Sequence, residues 1–176
     1  MASLTLLLGG CGSGKSVRNL NKELQDPNPK VRYKAAKALR DMGPGAKDAV
    51  PALGRALKDE EAKVREKAAQ ALREIGPDAK QVVAELAEAL KDDSAKVRYP
   101  AATALGKIGK GAKDAVPALT EALKDTDPRV RRSAAAALGN IGSESKTAVP
   151  ALNSLSNDPE QEVRDAAALA LRKISS

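Results

Sequence analysis

The sequence of 176 residues has no Trp, no Phe and no His, and its only aromatic side chains are Tyr33 and Tyr99. A core of this length normally draws much of its bulk from aromatic rings, so here Ala, Leu, Val and Ile must fill it. Alanine has the highest helix propensity of all residues, and its small side chain lets helices approach closely. The composition therefore favours thin, closely stacked helices over a deep globular core.

Cysteine is also scarce, since Cys11 is the only one. One cysteine excludes an intrachain disulfide, and without any histidine it cannot supply the tetrahedral ligand set of a structural zinc site. No apolar run approaches the roughly 18 residues that would predict a membrane-spanning helix. We therefore expect neither a metal nor another cofactor, and no small-molecule substrate.

Basic residues exceed acidic ones, because 30 Lys plus Arg against 23 Asp plus Glu give a formal net charge of +7. An excess of this sign can indicate binding to nucleic acid or to an anionic membrane. The two signs are interspersed along the chain, which is typical of a solvated helical surface. We interpret the charge mainly as solvation, with nucleic-acid binding as the less favoured alternative.

A single period runs through the chain without insertion or loss, and its clearest marker is a repeated Val-Arg pair at 31–32, 64–65, 97–98, 130–131 and 163–164. A strict period of about 33 residues is the mark of a solenoid, in which each unit packs only against its neighbours. We divide the chain into a terminal segment and one solenoid of five units: 1–10, then 11–43, 44–76, 77–109, 110–142 and 143–175 within 11–176.

Each unit is predicted to hold two helices, because apolar residues recur at spacings of three and four within 50–57 and again within 64–75. Good N-cap residues precede three of the second helices: Asn28, Ser94 and Asp127. Glycines are predicted to end four of them in a left-handed conformation, followed by a loop between units: Gly43, Gly76, Gly109 and Gly142.

The motif "AVPAL…ALKD…VR..AA.ALG.IG" resembles the HEAT-like repeats of the phycobilisome-lyase type, and the resemblance covers 11–175. It implies an all-α fold, a right-handed, armadillo-like α-solenoid of helical hairpins in which the second helices line the concave side. The first unit departs from the motif at Arg18 and Asn19, and the fifth departs at Ser156. Departures at both ends are expected of units that cap a stack.

Asp and Arg recur once in every unit, six residues apart, as in Asp59 and Arg65. Such an Arg can reach the Asp of its own unit or that of the next unit, forming a ladder of charge-assisted contacts. No unit breaks the symmetry to make one copy special, so we interpret the pairs as structural and not as acid/base dyads. The sequence therefore predicts no catalytic residues and no enzyme.

Residues 6–16, LLLGGCGSGKS, match two functional patterns. The stretch from Gly9 to Ser16 fits a phosphate-binding loop, but the chain lacks the further strands that such a loop requires, so we interpret the match as chance. Residues 8–11 resemble a bacterial lipoprotein cleavage box with Cys11 as the lipidation site, although no Lys or Arg precedes it. The alternative is that 1–10 form a packed half-repeat cap.

Localisation depends on the same stretch. If Cys11 carries a lipid, the protein is a membrane-anchored lipoprotein, and that lipid is its only contact with the membrane. If 1–10 form a cap, the bacterial cytoplasm is the expected compartment. The two interpretations stay open.

Positions two, six and nine residues after the Val of each unit vary while the framework does not, and we expect them to face solvent on the second helices. Because structure would then not fix these residues, we predict that they select a protein partner: Tyr33, Lys37, Arg40, Arg73, Tyr99, Thr103 and Arg132. Tyrosine is a common interface anchor, although both tyrosines can equally cover neighbouring alanines. Small residues are expected to make the middle of this surface neutral: Thr103, Gly106, Ala136 and Gly139.

Pro100 breaks the helical pattern, because its counterparts in the other units lie inside second helices: Lys34, Lys67, Ser133 and Ala166. A proline at mid-helix removes a hydrogen bond, crowds the preceding turn and costs roughly 3 kcal/mol. We therefore predict that the helix expected to begin near Ala95 is kinked or starts late. Such a kink would open the face beside Tyr99 and Thr103.

The preferred interpretation is a non-catalytic scaffold that binds a protein partner on its concave face. Two alternatives remain. The resemblance implies a chromophore-lyase-like accessory subunit, since some relatives of this type act as lyase subunits for phycobiliproteins, but no catalytic residue of that group is matched here. The other alternative is a basic nucleic-acid-binding solenoid. HEAT-like glycosylases bind nucleic acid with an aromatic cluster and a catalytic carboxylate, and this sequence has no comparable cluster.

Overall fold

A computed structural model describes residues 15–176, in which short and long α-helices alternate. The short helices are α1 (Val17–Glu23), α3 (Val50–Ala56), α5 (Val83–Ala89), α7 (Val116–Ala122) and α9 (Val149–Ser154). The long helices are α2 (Pro29–Met42), α4 (Ala62–Ile75), α6 (Ala95–Ile108), α8 (Pro128–Ile141) and α10 (Gln161–Ser175). Successive long helices begin at the same interval as the Val-Arg pairs, so the predicted all-α solenoid of helical hairpins is confirmed.

The predicted N-caps of three long helices are confirmed. The side chains of Asn28, Ser94 and Asp127 each accept a hydrogen bond from the backbone N–H two residues later. Glu61 and Glu160 occupy the same position without such a bond. A side-chain cap satisfies one of the N–H groups that a helix start leaves unpaired, which fixes where these three helices begin.

The helix-ending glycines have the predicted positive φ, between 55° and 78°, at Gly43, Gly76, Gly109 and Gly142. Their ψ values of −130° to −138° are not those of a left-handed helix, however. They match the first central residue of a type II′ turn, a position that favours glycine. The chain then continues as 3₁₀ helices over Gly43–Ala49, Gly76–Val82, Gly109–Ala115 and Gly142–Ala148. The predicted loops are therefore wrong, because buried alanines anchor these connectors against the core.

The core consists of small and branched aliphatic side chains repeated in register. One leucine of each of four long helices is fully buried: Leu39, Leu72, Leu105 and Leu138. An adjacent pair of alanines in each of the same helices is also fully buried: 35 and 36, 68 and 69, 101 and 102, 134 and 135. Adjacent long helices pack against one another through these residues, and each short helix packs on its own hairpin partner.

The expectation of a late start for α6 is wrong. The helix begins at Ala95, one residue after its Ser94 cap, and runs without interruption to Ile108 with Pro100 inside it. The Pro100 ring is buried beside Ala101, so packing of the helix outweighs the lost hydrogen bond. The carbonyl that loses its donor belongs to Lys96, an exposed residue that water can reach.

Several predictions lie outside the described residues. Lipidation at Cys11, the phosphate-loop match beginning at Gly9, and the cap formed by 1–10 all involve 1–14 and stay predictions, as do the boundaries of the five units. Within residues 15–176, no helix combines the length and the apolar content that crossing a membrane requires.

Candidate partner-binding face

A ladder of ion pairs links each unit to the next along one edge of the solenoid. The Arg Nε lies 2.6–2.7 Å from an Asp oxygen of the following unit in four pairs: Arg32–Asp59, Arg65–Asp92, Arg98–Asp125 and Arg131–Asp158. Each Arg also donates from Nη1 to the backbone carbonyl of the Asp in its own unit. Both contacts considered from the sequence therefore form, one through a carboxylate and one through a carbonyl.

The ladder residues are committed to structure. The four paired aspartates are only 5–8% exposed, and each also accepts a hydrogen bond from the backbone two residues later. The hydrogen bond that Arg131 donates lowers the pKa of Asp158, and the hydrogen bonds that the four arginines donate to the aspartates raise the pKa values of the arginines. The side chains of the ladder are thus bound to one another and to the backbone, as structural ion pairs are.

The remaining solvent-exposed side of the long helices, here called the long-helix face, carries the charge excess. The five long helices hold 18 of the 30 Lys and Arg but only 5 of the 23 Asp and Glu. Without the repeated Asp and Arg, they hold 13 basic and 5 acidic residues, while the rest of the chain holds 12 and 13. The basic excess therefore belongs to this one face.

The N-terminal half of the face, formed by α2 and α4, is polar. A cavity of about 600 Å³ between the two helices is lined by Tyr33, four lysines and two glutamates. Further along, Arg40 Nη1 donates to Gln70 Oε1 across the helix pair at 3.3 Å. Lys67 Nζ lies 3.0 Å from both Glu66 Oε1 and Gln70 Oε1. The Arg40–Gln70 hydrogen bond therefore links α2 to α4 at this end, whereas the Lys67 contacts lie within α4.

Three lysines of α2 lie along one stripe of this half. Lys30, Lys34 and Lys37 are spaced by four and three residues, which aligns them on one side of a helix, and all three are exposed. None of them forms an ion pair with another described residue. By contrast, Arg40 is paired with the neighbouring Asp41.

The C-terminal half of the face, formed by α6, α8 and α10, holds a smaller cavity of about 330 Å³ with fewer charged residues in its lining. Its lining includes Tyr99, Thr103, Ala136 and Leu169, together with the basic residues Arg132 and Lys173. Leu169 is 50% exposed, although its counterparts in other units are polar or small. An exposed leucine that lines an open cavity marks this half as a place where an apolar group can be buried.

Gly106 and Gly139 are not the solvent-facing positions that we predict from the sequence. Both are buried, and a Cβ on Gly139 would lie 2.7 Å from the Ala170 Cα. A Cβ on Gly106 would lie 3.1 Å from the Ala137 Cα. The register that carries Arg40 in the N-terminal half is thus used here for close approach of neighbouring helices, and structure does fix it.

Tyr99 lies at the junction of the two halves. The guanidinium carbons of Arg73 on α4 and Arg129 on α8 are both 5.9 Å from its ring centroid, within range of a cation–π interaction. Arg129 also pairs with the N-cap Asp127, which lowers the pKa of Asp127 to about 2. The hydrogen bond from Arg73 likewise lowers the pKa of Glu74. Both arginines are thus held beside the ring by fixed carboxylates.

The predicted binding residues therefore line three depressions and not one. Tyr33 lines the first cavity, and Arg40 and Arg73 line a shallow one further along α2 and α4. The third cavity contains Tyr99, Thr103 and Arg132, whereas Lys37 is exposed on α2. The sequence analysis did not select Arg129. It also gave Leu169 no role, although a leucine at a position whose counterparts are polar or small indicates an exposed apolar site.

Among the described residues, no group of three or more Cys, Asp or Glu side chains is arranged to hold a metal ion. Four of the five long-helix carboxylates pair with a basic side chain, as Asp41 does with Arg40 and Glu66 with Lys67, and Asp165 accepts a hydrogen bond from Gln161. The chemistry available at this face is charge pairing, hydrogen bonding and apolar contact.

The family model of HEAT repeats matches residues 17–95 and 83–172. The chain belongs to the HEAT-repeat family. A comparison with curated protein sequences gave no match. Among solved structures, an engineered protein shares 27% identity over 92% of this chain and 80% of its own, with a TM-score of 0.76.

Two further solved structures share the fold. The complex of CpcE and CpcF of phycocyanin lyase from Nostoc sp. PCC7120 is 26% identical over 99% of this chain and 70% of its own, with a TM-score of 0.76. A designed armadillo repeat protein in complex with the peptide (KR)4 is 22% identical over 90% of this chain and 81% of its own, also with a TM-score of 0.76.

Proposed function

We propose that this protein is a non-catalytic scaffold that binds a protein partner on the long-helix face, which is the concave side of the solenoid. One observation carries the proposal: the four ladder pairs commit their charged groups to structure, whereas the exposed side chains of the long helices vary from unit to unit. Variable side chains on a fixed framework are what partner selection requires.

The state of the titratable groups supports a role without catalysis. The carboxyl pKa values that shift do so downward, at Glu74, Asp127 and Asp158, each because an arginine donates to the carboxylate. A general acid or base works best with a pKa near the operating pH, and these shifts lead away from neutrality. They are the shifts of structural ion pairs.

Two neighbours bear on the choice of partner. A designed armadillo repeat protein of this fold was solved with the strongly basic peptide (KR)4, so a face of stacked helices can hold a peptide. The face of the present chain is basic, which favours a partner of the opposite charge. The lyase neighbour is a complex of two proteins, and it supports a protein partner here as well.

A pull-down from a bacterial lysate tests the proposal. The intact chain is immobilised beside a Tyr33→Ala/Tyr99→Ala variant and a Lys47→Ala/Lys113→Ala variant, whose changes lie on the exposed 3₁₀ connectors. We expect the tyrosine variant to lose proteins that the intact chain and the connector variant retain, with far-UV circular dichroism confirming that all three are folded. Equal retention by the three proteins would contradict binding at this face.

The lyase-like accessory subunit is the second candidate, favoured by the coverage of 99% of this chain in the match to the CpcE and CpcF complex. Mixing the protein with a free bilin distinguishes the two functions. The scaffold proposal expects no change in the bilin absorbance spectrum, whereas an accessory subunit that handles the chromophore would shift it.

A further inference from the structure

The two halves of the long-helix face differ in chemistry, and the difference describes a ligand. The N-terminal half presents a stripe of three lysines without ion-pair partners among the described residues, Lys30, Lys34 and Lys37. The C-terminal half presents the cavity beside Leu169. A ligand that fits both halves needs several negative charges at one end and an apolar group at the other.

The distance between the halves sets the length of that ligand. Neighbouring packed helices lie roughly 8–10 Å apart, and about three such steps separate α2 from the cavity between α8 and α10, or roughly 30 Å. An extended polypeptide advances about 3.3 Å per residue. A chain that crosses the long helices therefore needs about nine residues between its acidic group and its apolar side chain.

We propose that the partner presents an extended acidic peptide segment whose carboxylates pair with the stripe of Lys30, Lys34 and Lys37 and whose apolar side chain, about nine residues away, enters the cavity beside Leu169. This inference rests on the proposed scaffold function and adds the chemistry of the partner. The cavity wall of Ala136 and Thr103 leaves room for a branched aliphatic side chain.

The charge distribution favours a peptide over a nucleic acid. The two arginines near the C-terminal cavity are each balanced by a carboxylate, Arg129 by Asp127 and Arg132 by Glu162, which lowers the net positive charge that a phosphate backbone would meet there. Single-stranded nucleic acids are held largely by stacking on aromatic rings, but both tyrosines are partly packed into the core. A cavity with few charged residues in its lining is also an unfavourable place for a phosphate group.

The test uses a fluorescein-labelled synthetic peptide with a run of glutamates, about eight Gly and Ser residues and one leucine, made in both chain directions. Fluorescence anisotropy with the intact chain gives the dissociation constant. We expect Lys30→Glu/Lys34→Glu/Lys37→Glu to raise it by tenfold or more. The control Lys47→Glu/Lys113→Glu/Lys146→Glu makes the same change in net charge on the exposed connectors, and we expect it to raise the constant less than about threefold, since distant charges are screened.

A double-mutant cycle tests the apolar end. Leu169→Ser should weaken the leucine peptide by about tenfold, and replacing the peptide leucine with serine should weaken binding to the intact chain by a similar factor. The two changes together should cost little more than either alone, because they remove the same contact. Purely additive effects would show that the peptide leucine does not lie beside Leu169.

Three results would overturn the inference. One is equal binding of a peptide without glutamates, and another is equal weakening by the control lysine variant. The third is tighter binding of a single-stranded oligonucleotide that is insensitive to Leu169→Ser, which would assign the face to nucleic acid. If neither peptide binds but the pull-down still depends on Tyr33 and Tyr99, the acidic segment is wrong and the scaffold function stands.

Discussion

The two ends of the long-helix face use the same register for opposite purposes. On α2 and α4 that register holds Arg40 and Arg73, whose side chains reach carboxylates and Gln70 on the surface. On α6 and α8 it holds Gly106 and Gly139, whose backbones lie against the next helix. Both ends keep the same ladder and the same buried leucines. The comparison shows that a repeat can change the chemistry of its face while the edge that joins the units stays constant.

The largest expected effect comes from breaking the ladder, which the two halves share. Asp92→Ala, which removes the partner of Arg65 in the N-terminal half, and Asp125→Ala, which removes the partner of Arg98 in the C-terminal half, should each lower the free energy of unfolding by about 3–5 kcal/mol, because each leaves a largely buried arginine without its counter-ion. Urea unfolding followed by circular dichroism measures both. The two values should agree within about 1 kcal/mol if the ladder is indeed constant.

Asp26→Ala is the matched control for the ladder. The Asp26 carboxylate accepts a hydrogen bond from the Asn28 backbone, but no arginine among the described residues pairs with it. Its loss should cost only about 1 kcal/mol, the usual contribution of one hydrogen bond. A cost as large as that of Asp125→Ala would contradict the assignment of the energy to the ion pair.

Most of the fold could be predicted from the sequence. The sequence itself shows the regular period, the glycines that end four helices, and the helix caps at Asn28, Ser94 and Asp127, and the fold follows from these features. The sequence does not show whether a glycine on a long helix faces solvent or contacts the neighbouring helix. This depends on the distance between helices of neighbouring units, which no local pattern reports, so the solvent-facing assignment of Gly139 is wrong. Packing also outweighs propensity at Pro100, where the helix continues.

Gly139→Ala tests the close approach in the C-terminal half. The added Cβ would lie 2.7 Å from the Ala170 Cα, a backbone atom that cannot move alone. Overpacking of this kind costs about 1–3 kcal/mol, which outweighs the gain of about 1 kcal/mol in helix propensity. The melting temperature should therefore fall by a few degrees.

Two variants at the same register sharpen the result. Gly106→Ala, where the corresponding distance is 3.1 Å, should lower the melting temperature less than Gly139→Ala. Arg40→Ala in the N-terminal half should change the stability by no more than about 0.5 kcal/mol, as surface substitutions usually do. If all three variants have the same melting temperature, the helices of the two halves are not spaced differently at this register.

Pro100→Ala addresses α6, where the two halves meet. Alanine restores an N–H that can donate to the Lys96 carbonyl and relieves the crowding of the ring, and Ala166 already occupies the same register on α10. The gain is limited by the loss of proline's stiffening of the unfolded chain, about 0.4–1 kcal/mol. We expect a net stabilisation of about 1–2 kcal/mol in thermal unfolding. A lower melting temperature would mean that the buried ring contributes more through packing than it costs in hydrogen bonding.

The smallest expected effect concerns the start of α8 and depends on pH. The pKa of Asp127 lies at about 2, below its usual value of 3.8, chiefly because the Arg129 side chain donates to the carboxylate. A carboxyl whose pKa is lowered by folding stabilises the folded state above its unfolded pKa, and that contribution disappears as the pH falls through the folded pKa.

Asp127→Asn keeps the helix cap, as Asn28 shows on α2, but it removes the charge. The wild-type protein should therefore melt at a slightly higher temperature than the variant above about pH 5, and the difference should vanish between pH 4 and pH 2. The reverse change, Asn28→Asp, should give α2 a pH dependence of the same sign through Lys30. A difference between wild type and Asp127→Asn that is constant from pH 7 to pH 2 would show that the Arg129 pair contributes nothing to the stability of this half.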